Sequence, residues 1–326
     1  MTPRTEPAGP RRPALMRRID PAVATAFGCI VLLLLLGSLY STSFLSPEYL
    51  LQQLQVGAFL AVIATGMMIV VLLGQIDLSV PWAVAVGGMM STAAAGYGPV
   101  GATLAIPFGI LCGLALGLLN GFGVAYLRVP SMIFTLGVNA VAQGLMILRT
   151  GGSAPQDMAT PAMRVLATGH AVAGLPNAVL IWIVVGGAAV FLLNRTTFGR
   201  AVYGIGNRER AAYLSGIRTQ RVVLIAFMLA GGLSAFAGAL LAGYSTKAYQ
   251  GMGDAYLLPA IAAVVLGGTS IMGGRGSYLG TTAGVILITL LQSILSVMQI
   301  SDAGRQVIYG VVILAMLLLY GRANRA

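Results

Sequence analysis

Long apolar runs separated by short polar connections fill almost the whole chain. Taken as stretches of membrane-crossing length, they predict ten helices, at about 21–40, 51–73, 79–96, 100–123, 129–149, 177–194, 221–243, 257–272, 279–299 and 305–321. The third and eighth are short and interrupted by Gly or Pro. If those two only re-enter the membrane, eight crossings remain. The longest connection on the first helix's far side, 150–176, contains Gly-Gly-Ser-Ala-Pro and Thr-Pro and reads as irregular structure. The fold class this pattern predicts is an all-α, polytopic transmembrane bundle.

Composition agrees. Hydrophobic residues make up 58% of the chain and charged ones 8%, against about 25% charged in a soluble domain. Mean hydropathy is +0.90. No polar stretch exceeds about 30 residues, which is too short for a separate soluble domain. The net charge of +11 sits in the connections, where it sets topology and does not imply nucleic-acid binding. With the N-terminus inside, fifteen of the Lys and Arg residues fall on the cytoplasmic side and four outside, those four being Arg149, Arg164, Lys247 and Arg305. Both ends are therefore expected in the cytoplasm. The organisation this implies is a basic tail at 1–20, one membrane domain at 21–321 with a cytoplasmic loop at 195–220, and a tail at 322–326. The start resembles a signal peptide but lacks an Ala-x-Ala site, so an uncleaved first helix is expected.

Chemistry is sparse. Cys29 and Cys112 lie in apolar runs and read as small buried hydrophobes. His170 has no carboxylate or Cys nearby. There is no metal spacing, no phosphate-binding Gly-Lys-Ser/Thr loop, no nucleophile–base pair and no proton relay. No cofactor is expected in the chain, and an energy source must come from elsewhere.

The most informative tract is 194–218. Six arginines fall between 195 and 221. Within it a short amphipathic helix is predicted, with Asn207 as its cap, Glu209 at the positive end of its dipole, and Gly216 in the left-handed turn that ends it. Gly206 and Gly216 bracket it. A capped, exposed helix on a membrane protein reads as a docking surface. Asn207, Glu209, Arg210, Tyr213, Leu214 and Gly216 are its candidate coupling residues.

Two segments interrupt helices in a similar way, around 74–81 and 265–277, and share Val-Leu-x-Gly. Broken helices at membrane depth need protein or a water cavity to satisfy their backbone, and transporters place their pathways there. Asp77 reads either as a gate residue or, with Ser79 before Val80-Pro81, as a helix cap. Gln75, Asp77, Ser79, Asn120, Asn139, Gln143, Thr269 and Ser270 are candidate pathway or gate residues, with interhelical hydrogen bonding as the other reading of the uncharged ones. Gly109, Gly113, Gly117 and Gly121 form a small-residue stripe, as do Gly231, Ala235, Ala239 and Gly243. Such stripes let backbones touch, more often within one subunit than between two.

Three motifs together resemble permeases of ribose-type ABC sugar importers. They are Gly74-Gln-Ile-Asp77-Leu-Ser79-Val, the Phe198-Gly199-Arg200 to Ser215-Gly216-Ile217 tract, and Ile261 through Gly267-Gly268-Thr269-Ser270 to Gly273-Gly274-Arg275-Gly276-Ser277. Gln75 stands where that family often has Gly, and Pro81 replaces the motif's last Gly. The resemblance implies two permease subunits, identical or paralogous, with the path between them in membrane lipid. It also implies a periplasmic solute-binding protein outside, and ABC ATPase subunits inside that hold ATP and Mg and grip the 207–216 helix. A branched-chain amino acid permease of the same architecture and an ion-coupled secondary carrier are the alternatives.

Overall fold

The computed structural model describes residues 21–40, 42–153, 157–172, 174–301, 303–311 and 314. Helices follow the apolar runs. They are α1 (Pro21–Tyr40), α2 (Pro47–Leu72), α3 (Val80–Ala95), α4 (Gly98–Ala125), α5 (Ser131–Thr150), α6 (Pro161–Thr168), α7 (Asn177–Arg195), α8 (Thr197–Asn207), α9 (Glu209–Leu214), α10 (Thr219–Tyr244), α11 (Leu257–Leu266) and α12 (Tyr278–Val297). Residues 303–311 are helical again, and the remainder of the expected tenth helix lies largely outside the described residues. Among the described residues, six helices are long and apolar enough to cross a membrane: α2, α4, α5, α7, α10 and α12. At 16 and 10 residues, α3 and α11 are not.

The eighth helix was expected at 257–272 but ends at Leu266, because Gly267 and Gly268 turn the chain. The 150–176 connection is more ordered than expected. Thr160 caps α6 by accepting from the Met163 N–H at 3.1 Å, with Pro161 at the first helical position. After it, β1 (His170–Val172) pairs antiparallel with β2 (Leu175–Pro176), the one sheet among the described residues. The all-α expectation holds apart from this hairpin.

At the centre stands α2, with every residue from Gly57 to Leu72 buried. A helix that is apolar all round has no solvent face to offer and belongs inside. Around it pack α10, α12, α7 and α11, while α10 also runs along α4 and α3. The stripe of small residues makes that contact. A Cβ on Gly113 would overlap Ala235 and the Gly231 carbonyl, one on Gly117 the Phe227 carbonyl, and one on Gly121 the Leu224 backbone. Gly109 faces Ser91 and the Gly87 carbonyl of α3 in the same way. The stripe is used for packing within the chain, where backbone approach replaces the hydrophobic force that lipid does not provide.

Candidate functional site

The 195–221 tract forms two helices. The Thr196 hydroxyl accepts from the Gly199 N–H at 3.2 Å and starts α8. That helix runs through Asn207, so the expected cap at Asn207 is not made. Asn207 closes α8, and Arg208, in extended conformation, separates it from α9 without a side-chain capping bond. The physical reason is that Val202 and Ile205 are buried on one face, which carries the helical period four residues beyond Tyr203. Gly216 does what was expected. At φ +83° it lets its own N–H reach the Tyr213 carbonyl (3.0 Å) and the Ile217 N–H reach the Ala212 carbonyl (3.1 Å), a Schellman closure of α9.

α9 presents its side chains outward. Tyr213 is 67% exposed and Leu214 84%. With Arg128, Glu209, Arg210 and Thr219 they line an open cleft of about 520 Å³. Glu209 pairs with Arg128 at 2.7 Å, linking α9 to the turn between α4 and α5.

The two broken segments end helices by one device. Gly74 (φ +74°) donates to the Val71 carbonyl at 2.8 Å and the Gln75 N–H to Val70 at 3.3 Å. Gly268 (φ +85°) donates to Val265 at 2.9 Å and the Thr269 N–H to Val264 at 3.1 Å. The shared Val-Leu-x-Gly is thus the same Schellman cap written twice, with the left-handed position at its Gly.

These two ends meet each other and α8. The Gly274 N–H donates to the Leu72 carbonyl at 2.9 Å. A Cβ on Gly74 would stand 3.1 Å from the Met272 carbonyl, and one on Gly206 would overlap the Leu72 carbonyl and the Gly274 N–H. The Asn207 side chain lies against Gly274. Tyr203 of α8 donates its hydroxyl to the Gly276 carbonyl at 3.0 Å. Burial pushes its phenol pKa up, so it remains a donor. Ser270 and Arg275 close the 270–275 turn by a 2.8 Å backbone bond. The last turn of α8 is therefore held against the end of α2 and against the 270–276 turn between α11 and α12.

The polar candidates divide into groups. Asp77 is buried, and its carboxylate accepts from the Ser79 N–H (2.9 Å) and hydroxyl (2.6 Å). Asn120 of α4 donates to the Ser79 hydroxyl at 2.7 Å. From α5, Asn139 accepts from the Trp82 N–H at 3.3 Å, in the first turn of α3. Two residues that the sequence reading missed extend that row: Thr135 accepts from Leu78 N–H at 2.9 Å and Ser131 from Ile76 N–H at 3.2 Å. Ser131, Thr135 and Asn139 recur every four residues, which is the signal that reveals one polar edge on a helix. Together they satisfy the backbone that the break at 74–79 leaves open. Gln143, one further turn along, is exposed. Gln75 and Ser270 are half-buried beside the junction, and Thr269 is buried with its hydroxyl unpartnered. Among the described residues no cluster of His, Cys, Asp or Glu is arranged to hold a metal.

Membrane-length helices, two helices interrupted at one end of the bundle and a short exposed helix at that same end define a polytopic membrane protein. Its family follows from comparison. Residues 49–319 match the family described as branched-chain amino acid transport system / permease component, and the chain belongs to that family. It is 36% identical over 311 residues to the ribose import permease protein RbsC of Bacillus subtilis, covering 94% of this chain and 93% of that one. Against RbsC of Escherichia coli K12 it is 34% identical, covering 89% and 92%. It is 32% identical to the autoinducer 2 import system permease protein LsrC of Shigella flexneri, covering 93% and 87%. No solved structure matches it. The chain is a multi-pass ABC importer permease of the bacterial inner membrane.

Proposed function

We propose that this chain forms the membrane path for a small sugar or sugar-like solute, which a periplasmic binding protein delivers and separate ATPase subunits drive. The observation that carries the solute class is the near full-length likeness to two ribose permeases at 34–36% identity. Two such permeases, identical or paralogous, enclose the path, and ATP and Mg belong to the ATPase partners. The chain crosses the membrane ten times with both ends inside, α3 and α11 being the short members. The cationic asymmetry supports this orientation.

The ATPases dock in the cleft at α9, on Tyr213 and Leu214. Their closure moves α9 and α8 as a unit. Gly206 and Tyr203 pass that displacement to the end of α2 and to the turn between α11 and α12, and so to α3 and α12 beyond the breaks. The switch is a rigid-body one with two packings, and no covalent step occurs in this subunit. Asp77, Ser79, Asn120 and Asn139 hold the break in shape, while Gln75, Gln143, Thr269 and Ser270 are the residues left to meet solute.

Uptake of labelled ribose by cells carrying the whole transporter, against labelled leucine, tests the solute class. Ribose uptake that stops when ATP is depleted, with the proton gradient kept, is expected. Leucine uptake in its place would favour the amino acid reading that the family description carries. A periplasm-active reporter fused after Ala326 should be silent and one near Ala159 active. The reverse pattern overturns the orientation.

A further inference from the structure

The stretch between α10 and α11 does not stay at the surface of the bundle. Lys247 is bridged to Met158 in the 150–176 connection. Gln250 donates to the Thr150 hydroxyl, at the end of α5, at 2.7 Å. Three residues on, a Cβ on Gly253 would overlap the Pro81 carbonyl in the first turn of α3. At 1.5 Å per residue, Pro81 stands about 21 Å from the opposite end of α3 at Ala95. That is more than half of the roughly 30 Å hydrocarbon core of a bilayer. Asp254, in the 3₁₀ turn that precedes α11, therefore lies at membrane depth. It is exposed, as is Ala255 beside it. Among the described residues its carboxylate makes no ion pair. An intramembrane carboxylate does not face hydrocarbon, and irregular backbone at that depth is covered by protein or lines a water-filled cavity. The side of the bundle that exposes Asp254 is thus a side that meets water.

α5 borders the same place. Asn139, Gln143 and Thr150 share one face of that helix, at spacings of four and seven residues. Thr150 holds Gln250, and Asn139 holds the Trp82 N–H next to Pro81, so the 250–254 stretch runs along that face. Gln143 lies between the two anchors and is exposed. We infer that Asp254 and Gln143 form a subsite for a polyhydroxylated solute, part-way along the transport path. The carboxylate accepts from two adjacent hydroxyls at once, and the amide both donates and accepts, which is the pattern that a polyol matches. The inference rests on the reading of this chain as a sugar permease and adds to it the charged residue that grips the cargo.

The test uses the complete transporter in proteoliposomes, with Cys29→Ala and Cys112→Ala removing the chain's own thiols. A cysteine reacts with a charged, membrane-impermeant methanethiosulfonate as the thiolate, which needs water. Asp254→Cys and Gln143→Cys should be modified in full during ATP turnover, under conditions that leave Val184→Cys, exposed midway along α7, untouched. Ribose supplied with its binding protein should slow the modification at position 254. In cells, Asp254→Asn keeps the shape and removes the charge. It should reach the membrane at the wild-type level and take up labelled ribose at least about tenfold more slowly, the worth of one hydrogen bond to a charged group. Asp254→Glu, which keeps the carboxylate, should retain more of the uptake. Modification at position 254 no faster than at 184 overturns the inference. So does ribose uptake by Asp254→Asn equal to that of the wild type, and wild-type uptake of ribose would then leave the sugar reading standing. Wild-type uptake of leucine and not of ribose overturns the sugar reading and the polyol subsite with it.

Discussion

The two halves of the 195–221 tract are built on opposite principles. α8 is sealed into the protein: Gly206 touches the Leu72 carbonyl with no room for a methyl group, and Tyr203 is bonded to the Gly276 carbonyl. α9, one residue further on, has only Ala212 buried and leaves Tyr213 and Leu214 exposed. A helix of six residues cannot sustain itself on propensity. Its form comes from the Gly216 closure, from the junction behind it and, we propose, from a partner in front. In the proposed function the two halves divide the labour: α9 would receive a contact and α8 transmit it, through a glycine because a backbone-to-backbone contact has no side-chain rotamers to absorb the motion.

Four substitutions probe the two halves, in order of decreasing effect. Gly206→Val inserts carbons where the Leu72 carbonyl and Gly274 already stand. Uptake should be lost, and the yield of monodisperse protein in mild detergent should fall sharply. Gly113→Leu is the comparison away from the tract. It separates α4 from α10 and should reduce folded yield, since overpacking costs about 1–3 kcal/mol or more. Full yield would mean that the glycine face looks at lipid. Tyr203→Phe removes one hydrogen bond from the sealed half, worth about 1 kcal/mol. A small drop in the thermal midpoint with a measurable loss of uptake is expected, and an unchanged midpoint would remove Tyr203 from the junction. Arg128→Ala breaks an exposed ion pair at 2.7 Å. Such pairs contribute about 0–1 kcal/mol, so uptake should stay near the wild-type level, any loss shrinking as salt rises.

Much of this was legible in the sequence. The apolar runs located α1, α2, α3, α4, α5, α7, α10 and α12 because helix length is set by the hydrocarbon it crosses. Glycine and alanine every fourth residue marked a close-packing face on α4 and another on α10, though not that the two face each other, and a lone glycine after an amphipathic stretch identified the end of α9. Where reading failed, a tertiary contact decided. Asn207 looks like a cap, but burial of Val202 and Ile205 carries α8 through it. The apolar run after Leu257 looks long enough for a helix to 272, but Gly268 is left-handed and turns the chain toward α8. Asp77 offered two readings; it bonds the N–H and hydroxyl of Ser79, the residue before α3, but no side chain there caps the helix's own N–H groups. The row Ser131, Thr135 and Asn139 was visible as a period of four, yet its purpose was not, because the backbone it satisfies belongs to a segment more than 50 residues earlier. Nor does sequence say that the two broken segments and α8 meet at one point.

The proposed receiving role of α9 is tested by co-purification of the ATPase subunits with the permease carrying both Tyr213→Ala and Leu214→Ala, with solute uptake recorded in the same cells. Both side chains already face outward, so the variant should reach the membrane at the wild-type level. Aromatic and large apolar side chains at such a surface dominate binding, so the ATPases should be lost on purification and uptake should fall with them. Normal co-purification together with normal uptake would contradict the account and remove α9 from energy coupling.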